Sequence, residues 1–306
     1  MEGLLVKGVP FTSLQAGEHG ITRKRLACLV ADGQVRRVLD DVYVDSRVPD
    51  GPDTRCRAVS SILPEGAVVA RRTAAWVHGL DLFGPRGALE SLLVECVTPS
   101  SFAKVRRRGV RGYVADLDAG DTVLCHRVPV TSKVRTAVDL ARWLARPHAL
   151  AAIDAMTHAG LRSQAEMMEF AARYPRYRGI AQARELIRIV EPRTESPGES
   201  WLRLRIIDAG FPRPSAQIVI EVGGRELYRL DLGYPDLRIG LEYDGQEFHD
   251  SPENQKHDEA RRDDLRRRFG WDVYGFDRGH VWGRYPHVEM AVGELLSQEP
   301  VLPRTW

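Results

Sequence analysis

Three acidic residues, Asp231, Glu242 and Asp244, lie in two segments with the alternating pattern of β-strands, which a tight turn joins. We expect Glu242 and Asp244 to share one face of the second strand with Gly240. The turn then places Asp231 near Gly240 and diagonal to Glu242. Converging carboxylates repel each other, and a divalent cation between them removes that conflict. Since hard oxygen ligands suit Mg²⁺ or Mn²⁺, the pattern indicates a site for one of these ions.

The chemistry that such a site supports is phosphodiester hydrolysis, because a metal ion lowers the pKa of its bound water and neutralises charge on phosphoryl oxygens. The next segment, "NQKHDEARRDDLRRRFG", predicts a helix suited to a phosphate backbone through Arg261, Arg262, Arg266, Arg267 and Arg268. Two plainer alternatives stay open. The acids could lie on a solvated sheet face, and the arginines could belong to an exposed helix of mixed charge.

The elements that position these residues follow a break at "EPRTESPGES", residues 191–200. After the break the sequence predicts a helix capped by Ser196 or Ser200, three strands, the charged helix and one further strand. Residues 195–306 therefore form one predicted α/β unit.

Residues 1–50 predict a different unit, in which two short helices precede a hairpin. Helix, turn, helix and hairpin is the order of a winged helix-turn-helix, whose second helix enters a groove of DNA. The candidate DNA-binding residues are basic ones at the start of that helix and on the hairpin, namely Arg23, Lys24, Arg25, Arg36 and Arg37. Solvated charges on a small protein-binding domain are the alternative.

Residues 51–190 predict a mixed α/β connecting domain with no assigned activity. Lys and Arg (44) nearly balance Asp and Glu (42), so the net charge of +2 says little about partners. The four cysteines form no CxxC pair, no signal-peptide pattern is present, and no apolar run approaches the ~20 residues of a membrane span. We therefore expect a cytoplasmic protein with reduced thiols and no membrane partner.

Two strings near the N-terminus, "GITRKRLACLVADGQVRRVLDDVYV" and "AVVARRTAAWVHGLDLFG", resemble the N-terminal domain of AbiEi-type antitoxins over the first ~85 residues. The resemblance implies DNA binding and autoregulation.

The C-terminal strings "SPGESWLR", "LDLGYPDLRIGLEYDGQEFH" and "HDEARRDDLRRRFGWDVYGF" resemble the PD-(D/E)xK nuclease superfamily, in its branch similar to the very-short-patch-repair (Vsr) endonuclease. The resemblance implies a restriction-endonuclease-like α/β domain with a central mixed sheet. It implies that Asp231 and Glu242 bind the metal and that Glu199 orients a ligand or a metal-bound water. Asp244 stands where the superfamily usually has lysine, and His249 matches a general acid or base. The helix element that begins the third string implies a positioning role for Arg261.

These patterns predict an α/β protein with a winged helix-turn-helix at residues 1–50, a mixed α/β domain at 51–190 and a nuclease domain at 195–306. The predicted function is a metal-dependent DNA endonuclease that its winged helix targets to DNA. The alternative is a non-catalytic DNA-binding regulator or antitoxin with a degenerate nuclease fold, which Asp244 in place of lysine favours. An RNA nuclease is a lesser alternative, since nothing in the sequence reads a 2′-hydroxyl. Cutting both strands usually needs two active sites, which leaves a homodimer open.

Overall fold

The structure is a computed structural model that describes residues 8–82, 93–102, 104–107, 109–245 and 252–306. It is a mixed α/β fold, and the described residues contain 12 α-helices and sheets of three, four and six strands. None of the helices in the described ranges is long and apolar enough to cross a membrane.

The chain forms two compact units, Met1–Leu140 and Ala141–Trp306. The predicted connecting region 51–190 is thus divided between them, and its separate status as a domain stays a prediction.

The first unit begins with a three-stranded sheet and two helices, in which strands lie in the order β1-β3-β2. The elements are β1 (Phe11–Thr12), α1 (Ser13–Glu18), α2 (Arg23–Ala31), β2 (Val35–Leu39) and β3 (Val42–Asp45). Each helix starts at a threonine, Thr12 or Thr22, whose hydroxyl accepts a backbone N–H of the first turn. The helices bury their apolar face against the sheet around Phe11, Ala16, Ile21, Leu26, Leu29 and Val35.

The rest of this unit is a six-stranded mixed sheet with strand order β6-β7-β5-β4-β9-β8. Its strands are β4 (Val68–Val69), β5 (Val94–Thr98), β6 (Arg106–Arg107), β7 (Val110–Val114), β8 (Thr122–Cys125) and β9 (Val128–Thr131). Its helices are α3 (Pro52–Ser60), α4 (Arg71–Val77) and α5 (Lys133–Trp143), of which α5 belongs to this unit as far as Leu140.

The hairpin β2–β3 shares one hydrophobic core with the six-stranded sheet. Val38 and Val44 of the hairpin are buried in the same cluster as Val69 of β4 and Val110 of β7. Burying such side chains is worth roughly 1.5–3 kcal/mol each, so this shared core holds the hairpin firmly on the sheet.

The second unit contains a helical layer and a four-stranded sheet. The helices that precede the sheet are α6 (Arg146–His158), α7 (Gln164–Arg173), α8 (Ile180–Arg188) and α9 (Pro197–Asp208). The elements that follow are β10 (Ser215–Val222), β11 (Arg225–Tyr234), β12 (Ile239–Asp244), α10 (Pro252–Phe269), β13 (Asp272–Asp277), α11 (Arg278–Trp282) and α12 (His287–Leu296). The strand order is β10-β11-β12-β13, with β12 and β13 parallel and the other pairs antiparallel.

A buried ion pair joins α6 to α9 in this unit. Arg203 is fully buried and its Nη2 donates to Asp154 Oδ2 at 2.7 Å. Asp154 also accepts the hydroxyl of Ser200 at 2.8 Å and the backbone N–H of Glu191 at 2.8 Å. Every oxygen of this buried carboxylate therefore has a donor, as burial of a charge requires.

We expect Asp154→Ala to lower the free energy of unfolding by ~3–5 kcal/mol, because the guanidinium of Arg203 would stay buried without its counter-charge. Urea unfolding measures the loss. The control is Asp263→Ala, which breaks an exposed pair with Arg267 and should cost under ~1 kcal/mol. Equal losses in the two variants would show that burial does not make the Asp154 pair special.

Candidate functional site

The hairpin β11–β12 brings two of the predicted metal ligands directly opposite each other. Leu232 pairs with Leu241 and Gly233 pairs with Gly240, so the register continues with Asp231 opposite Glu242. The expected placement of Asp231 near Gly240 and diagonal to Glu242 is wrong.

The cause is the connection between the strands. Pro235–Leu237 forms a 3₁₀ turn, which Arg238 closes in the left-handed conformation at φ 54°. This turn shifts the pairing relative to the tighter turn that we expected, and the shift brings the two carboxylates closer together.

Asp231 has an unusual protonation equilibrium. Burial, together with the negative charges of Glu199 and Glu242, raises the pKa of its carboxyl group from 3.8 to about 7. The backbone N–H of Tyr243, which donates to Asp231 Oδ2 at 3.0 Å, and the nearby Arg261 lower it in part. The structure therefore brings three predicted site residues, Glu199, Asp231 and Glu242, into electrostatic contact.

Glu199 is buried in the first turn of α9, and one of its carboxylate oxygens has two donors. Its Oε2 accepts the backbone N–H of Glu195 at 3.0 Å and the side-chain amide of Gln217 at 2.9 Å. Gln217 lies in β10 with φ 52°, a conformation that a strand residue rarely adopts. Sequence reasoning missed Gln217, and no pattern in the sequence signals it.

Glu242 forms a bidentate ion pair with Arg261 of α10. The two guanidinium nitrogens donate to the two carboxylate oxygens at 2.7 and 2.9 Å, and Arg261 Nη2 also donates to the backbone oxygen of Arg229 at 3.0 Å. Glu242 is buried, which strengthens such a pair relative to a solvated one. Asp244 has a looser arginine partner, Arg262, at 3.4 Å.

The carboxylate of Glu242 is already engaged by a cationic side chain of the same chain. Both oxygens of Glu242 accept hydrogen bonds from Arg261. No group of three or more His, Cys, Asp or Glu side chains in the described part of the chain is arranged to hold a metal ion. The Mg²⁺ or Mn²⁺ site stays a prediction from sequence, and His249 lies outside the described residues.

The N-terminal basic residues form a different kind of surface. Arg23, Lys24 and Arg25 are exposed in the first turn of α2. A cleft of about 400 Å³ runs between α2 and the hairpin β2–β3, and both Arg23 and Arg37 line it. The structure thus brings basic groups of the helix and of the hairpin to one surface.

The two hairpin arginines are less available than those of α2. Arg37 forms an ion pair with Asp40, and Arg36 Nη2 donates to the backbone oxygen of Val48 at 3.1 Å. Both side chains are half-buried. The exposed start of α2 is consequently the stronger candidate for contact with an anionic partner.

Comparison with known proteins assigns residues 67–189 to a family model described as the AbiEi antitoxin C-terminal domain. The chain is also 32% identical over 258 residues to "Uncharacterized protein MT2308" of Mycobacterium tuberculosis strain CDC 1551 / Oshkosh, an alignment that covers 83% of this chain and 89% of the relative. "Uncharacterized protein Rv2248" of strain H37Rv matches with the same identity and coverage. The chain belongs to the same family as these two mycobacterial proteins.

One solved structure is more distantly similar. The crystal structure of the RV2827C protein from Mycobacterium tuberculosis covers 62% of this chain and 76% of its own, with 14% sequence identity and a TM-score of 0.33. That likeness is too weak to assign a shared fold.

The family match corrects two predictions. The AbiEi resemblance lies at residues 67–189 and concerns the C-terminal domain of those antitoxins, rather than the N-terminal domain over the first ~85 residues. The matched segment includes the string "AVVARRTAAWVHGLDLFG" but excludes the predicted winged helix. The resemblance to the PD-(D/E)xK nuclease superfamily, and with it the metal-dependent DNA endonuclease, is also corrected, because the family model that matches is that of an antitoxin domain.

The raised pKa of Asp231 gives a prediction about stability. Because the folded pKa (about 7) lies above the ordinary 3.8, the folded state binds more protons between these values and stability falls as pH rises through that window. We expect Asp231→Asn to abolish this decrease in folding stability with rising pH. The variant should be more stable than the parent above pH 7, by ~1–3 kcal/mol, and the advantage should shrink towards pH 4.

Urea unfolding across that pH range measures the difference. Asp236→Asn, at an exposed position of the 3₁₀ turn, removes the same charge in solvent and is the matched control. A stability difference between Asp231→Asn and the parent that does not change with pH would contradict the assignment.

Proposed function

We propose that this protein is a non-catalytic DNA-binding regulator related to the AbiEi antitoxins. The observation that carries the proposal is the match of residues 67–189 to the AbiEi antitoxin C-terminal domain. A regulator of this kind needs a surface for duplex DNA, and we assign that role to the basic start of α2, which precedes the matched segment.

Residues 8–50 supply a winged helix-turn-helix in this proposal. Helices α1 and α2 precede the hairpin β2–β3, and the short strand β1 completes a three-stranded sheet. In winged helices the second helix enters the major groove with its N-terminal residues towards the DNA, and here that turn carries Arg23, Lys24 and Arg25.

Charge also favours this surface. The whole chain carries a net charge of only +2, so non-specific attraction by total charge is weak. Three consecutive basic residues at a helix start concentrate positive charge where phosphates would lie. Their side chains form no ion pair within the part of the chain that the structure describes, so they bind phosphate without first losing a protein partner.

The C-terminal carboxylates support a structural role for that domain. Arginine groups of α10 already neutralise Glu242 and Asp244, and Glu199 accepts hydrogen bonds from its own chain. Such an arrangement is what a regulator with a degenerate site would have, since the charges serve the fold.

We expect Arg23→Ala with Arg25→Ala to weaken binding to duplex DNA roughly 10- to 100-fold and to reduce the slope of log K against log salt by ~2, because two phosphate contacts are lost. Fluorescence anisotropy with a duplex from the region upstream of the protein's own gene, between ~50 and ~200 mM NaCl, measures both. A reporter gene whose expression is controlled by that upstream region should be repressed by the parent protein and should lose this repression with the variant.

The control replaces two exposed arginines of the second unit, Arg225→Ala with Arg284→Ala, which changes net charge equally. If the parent binds no duplex, or if both double variants bind alike, the proposed function is wrong.

A further inference from the structure

A second basic surface lies in the first unit, outside the winged helix. Residues 96–115 contain five basic residues and no acidic one. The basic residues are Lys104, Arg106, Arg107, Arg108 and Arg111. This run forms the hairpin β6–β7 at one edge of the six-stranded sheet, with Arg108 outside the described residues.

Two basic side chains of this hairpin are exposed to solvent because the apolar residue between them is anchored. Val105 packs against the core of the unit, and the space above Gly112 is filled by Val105, which would lie 2.7 Å from an added Cβ. Strand alternation then turns the neighbours of Val105 away from the core. Lys104 and Arg106 are accordingly exposed, and neither has a hydrogen bond or ion pair in the described ranges.

The cross-strand pairing places like charges together. Arg106 lies directly opposite Arg111 in the antiparallel register. Two like charges in that relation destabilise a sheet. Neither Arg106 nor Arg111 forms an ion pair in the described part of the chain, although Glu95 of β5 is the neighbour of Arg111 across the parallel pair β5–β7. A polyanion would relieve the repulsion, so the pair is better suited to a bound state than to an isolated protein.

The turn of this hairpin, at Gly109, packs against the turn of the hairpin β2–β3, at Asp40. A Cβ on Gly109 would lie 3.2 Å from the backbone oxygen of Asp40 and 3.6 Å from the Asp40 Cβ, and Gly109 has φ +76°, so glycine is favoured at this approach. The carbonyl of Gly109 also accepts the N–H of Val94 at 2.9 Å. Because the hairpins β2–β3 and β6–β7 share one core, their separation is fixed and both can meet one rigid partner.

We propose that the hairpin β6–β7 is a second DNA-binding element, which contacts phosphates of the same duplex beside those contacted by α2. The proposal rests on the proposed function and extends the DNA contact beyond residues 8–50 into the segment matched by the AbiEi model. Lys104, Arg106 and Arg111 supply the contacts, which position the protein without reading base sequence.

The test uses the full chain with Lys104→Ala and Arg106→Ala, two exposed positions where loss of the side chain leaves the core unchanged. Fluorescence anisotropy should show that the slope of log K against log salt falls by ~2. It should also show that the binding affinity falls by a similar factor for specific and for unrelated duplexes. Hydroxyl-radical footprinting should show that protection is lost at phosphates flanking the site while the central protection by α2 remains. Arg225→Ala with Arg284→Ala is again the charge-matched control.

The outcomes separate the two proposals. If the parent binds DNA and Arg23→Ala with Arg25→Ala weakens it, but the hairpin variant keeps the parent slope and footprint, the hairpin proposal alone is overturned. If the hairpin variant loses affinity only for duplex RNA, the element serves RNA and the proposal is likewise overturned. If the parent protects no DNA, the proposed function and this extension fall together.

Discussion

The bidentate pair between Arg261 and Glu242 shows a constraint that recurs through the protein. A buried carboxylate is costly unless a positive group and hydrogen bonds compensate it. Asp154 meets this need through Arg203, and Asp121 and Asp139 through the buried Arg135. The chain supplies these counter-charges from its own arginines, which fixes helices against sheets and helices against each other.

Several basic residues of the first unit differ from these paired arginines. Where an arginine serves the fold, an acid lies within hydrogen-bond distance, as for Arg203 and Arg261. At the start of α2 and on the hairpin β6–β7, exposed basic side chains have no such acid in the part of the chain that the structure describes. Arginine content alone therefore says little here, and the distinction between structural and available charge depends on the partner of each group.

The sequence predicted the order of elements well where periodicity and turn residues are local signals. The helix, three strands, helix and strand after residue 195 are present, and the helices and hairpin before residue 50 are present in the expected order. The register of β11 with β12 was missed because a 3₁₀ turn, closed by Arg238 at positive φ, cannot be told from a tighter turn by composition. The partner of Glu242 was missed as well, since Arg261 lies on a helix that the sequence assigned to phosphate binding. Pattern resemblance in the C-terminal unit identified acids that do lie together, but it gave no sign that Glu242 is paired with Arg261.

The hydrophobic core that the hairpin β2–β3 shares with the six-stranded sheet limits how this protein can evolve. Val38 and Val44 are buried in one cluster with residues far along the chain, such as Val69 and Val110. A recombination event that exchanged only the first 50 residues would remove Val38 and Val44 from this core and uncover Val69 and Val110. It would also remove Asp40, which Gly109 contacts. Under the proposed function, a new DNA specificity would arise by substitution within α2, or by inheritance of residues 8–50 together with the sheet that supports them.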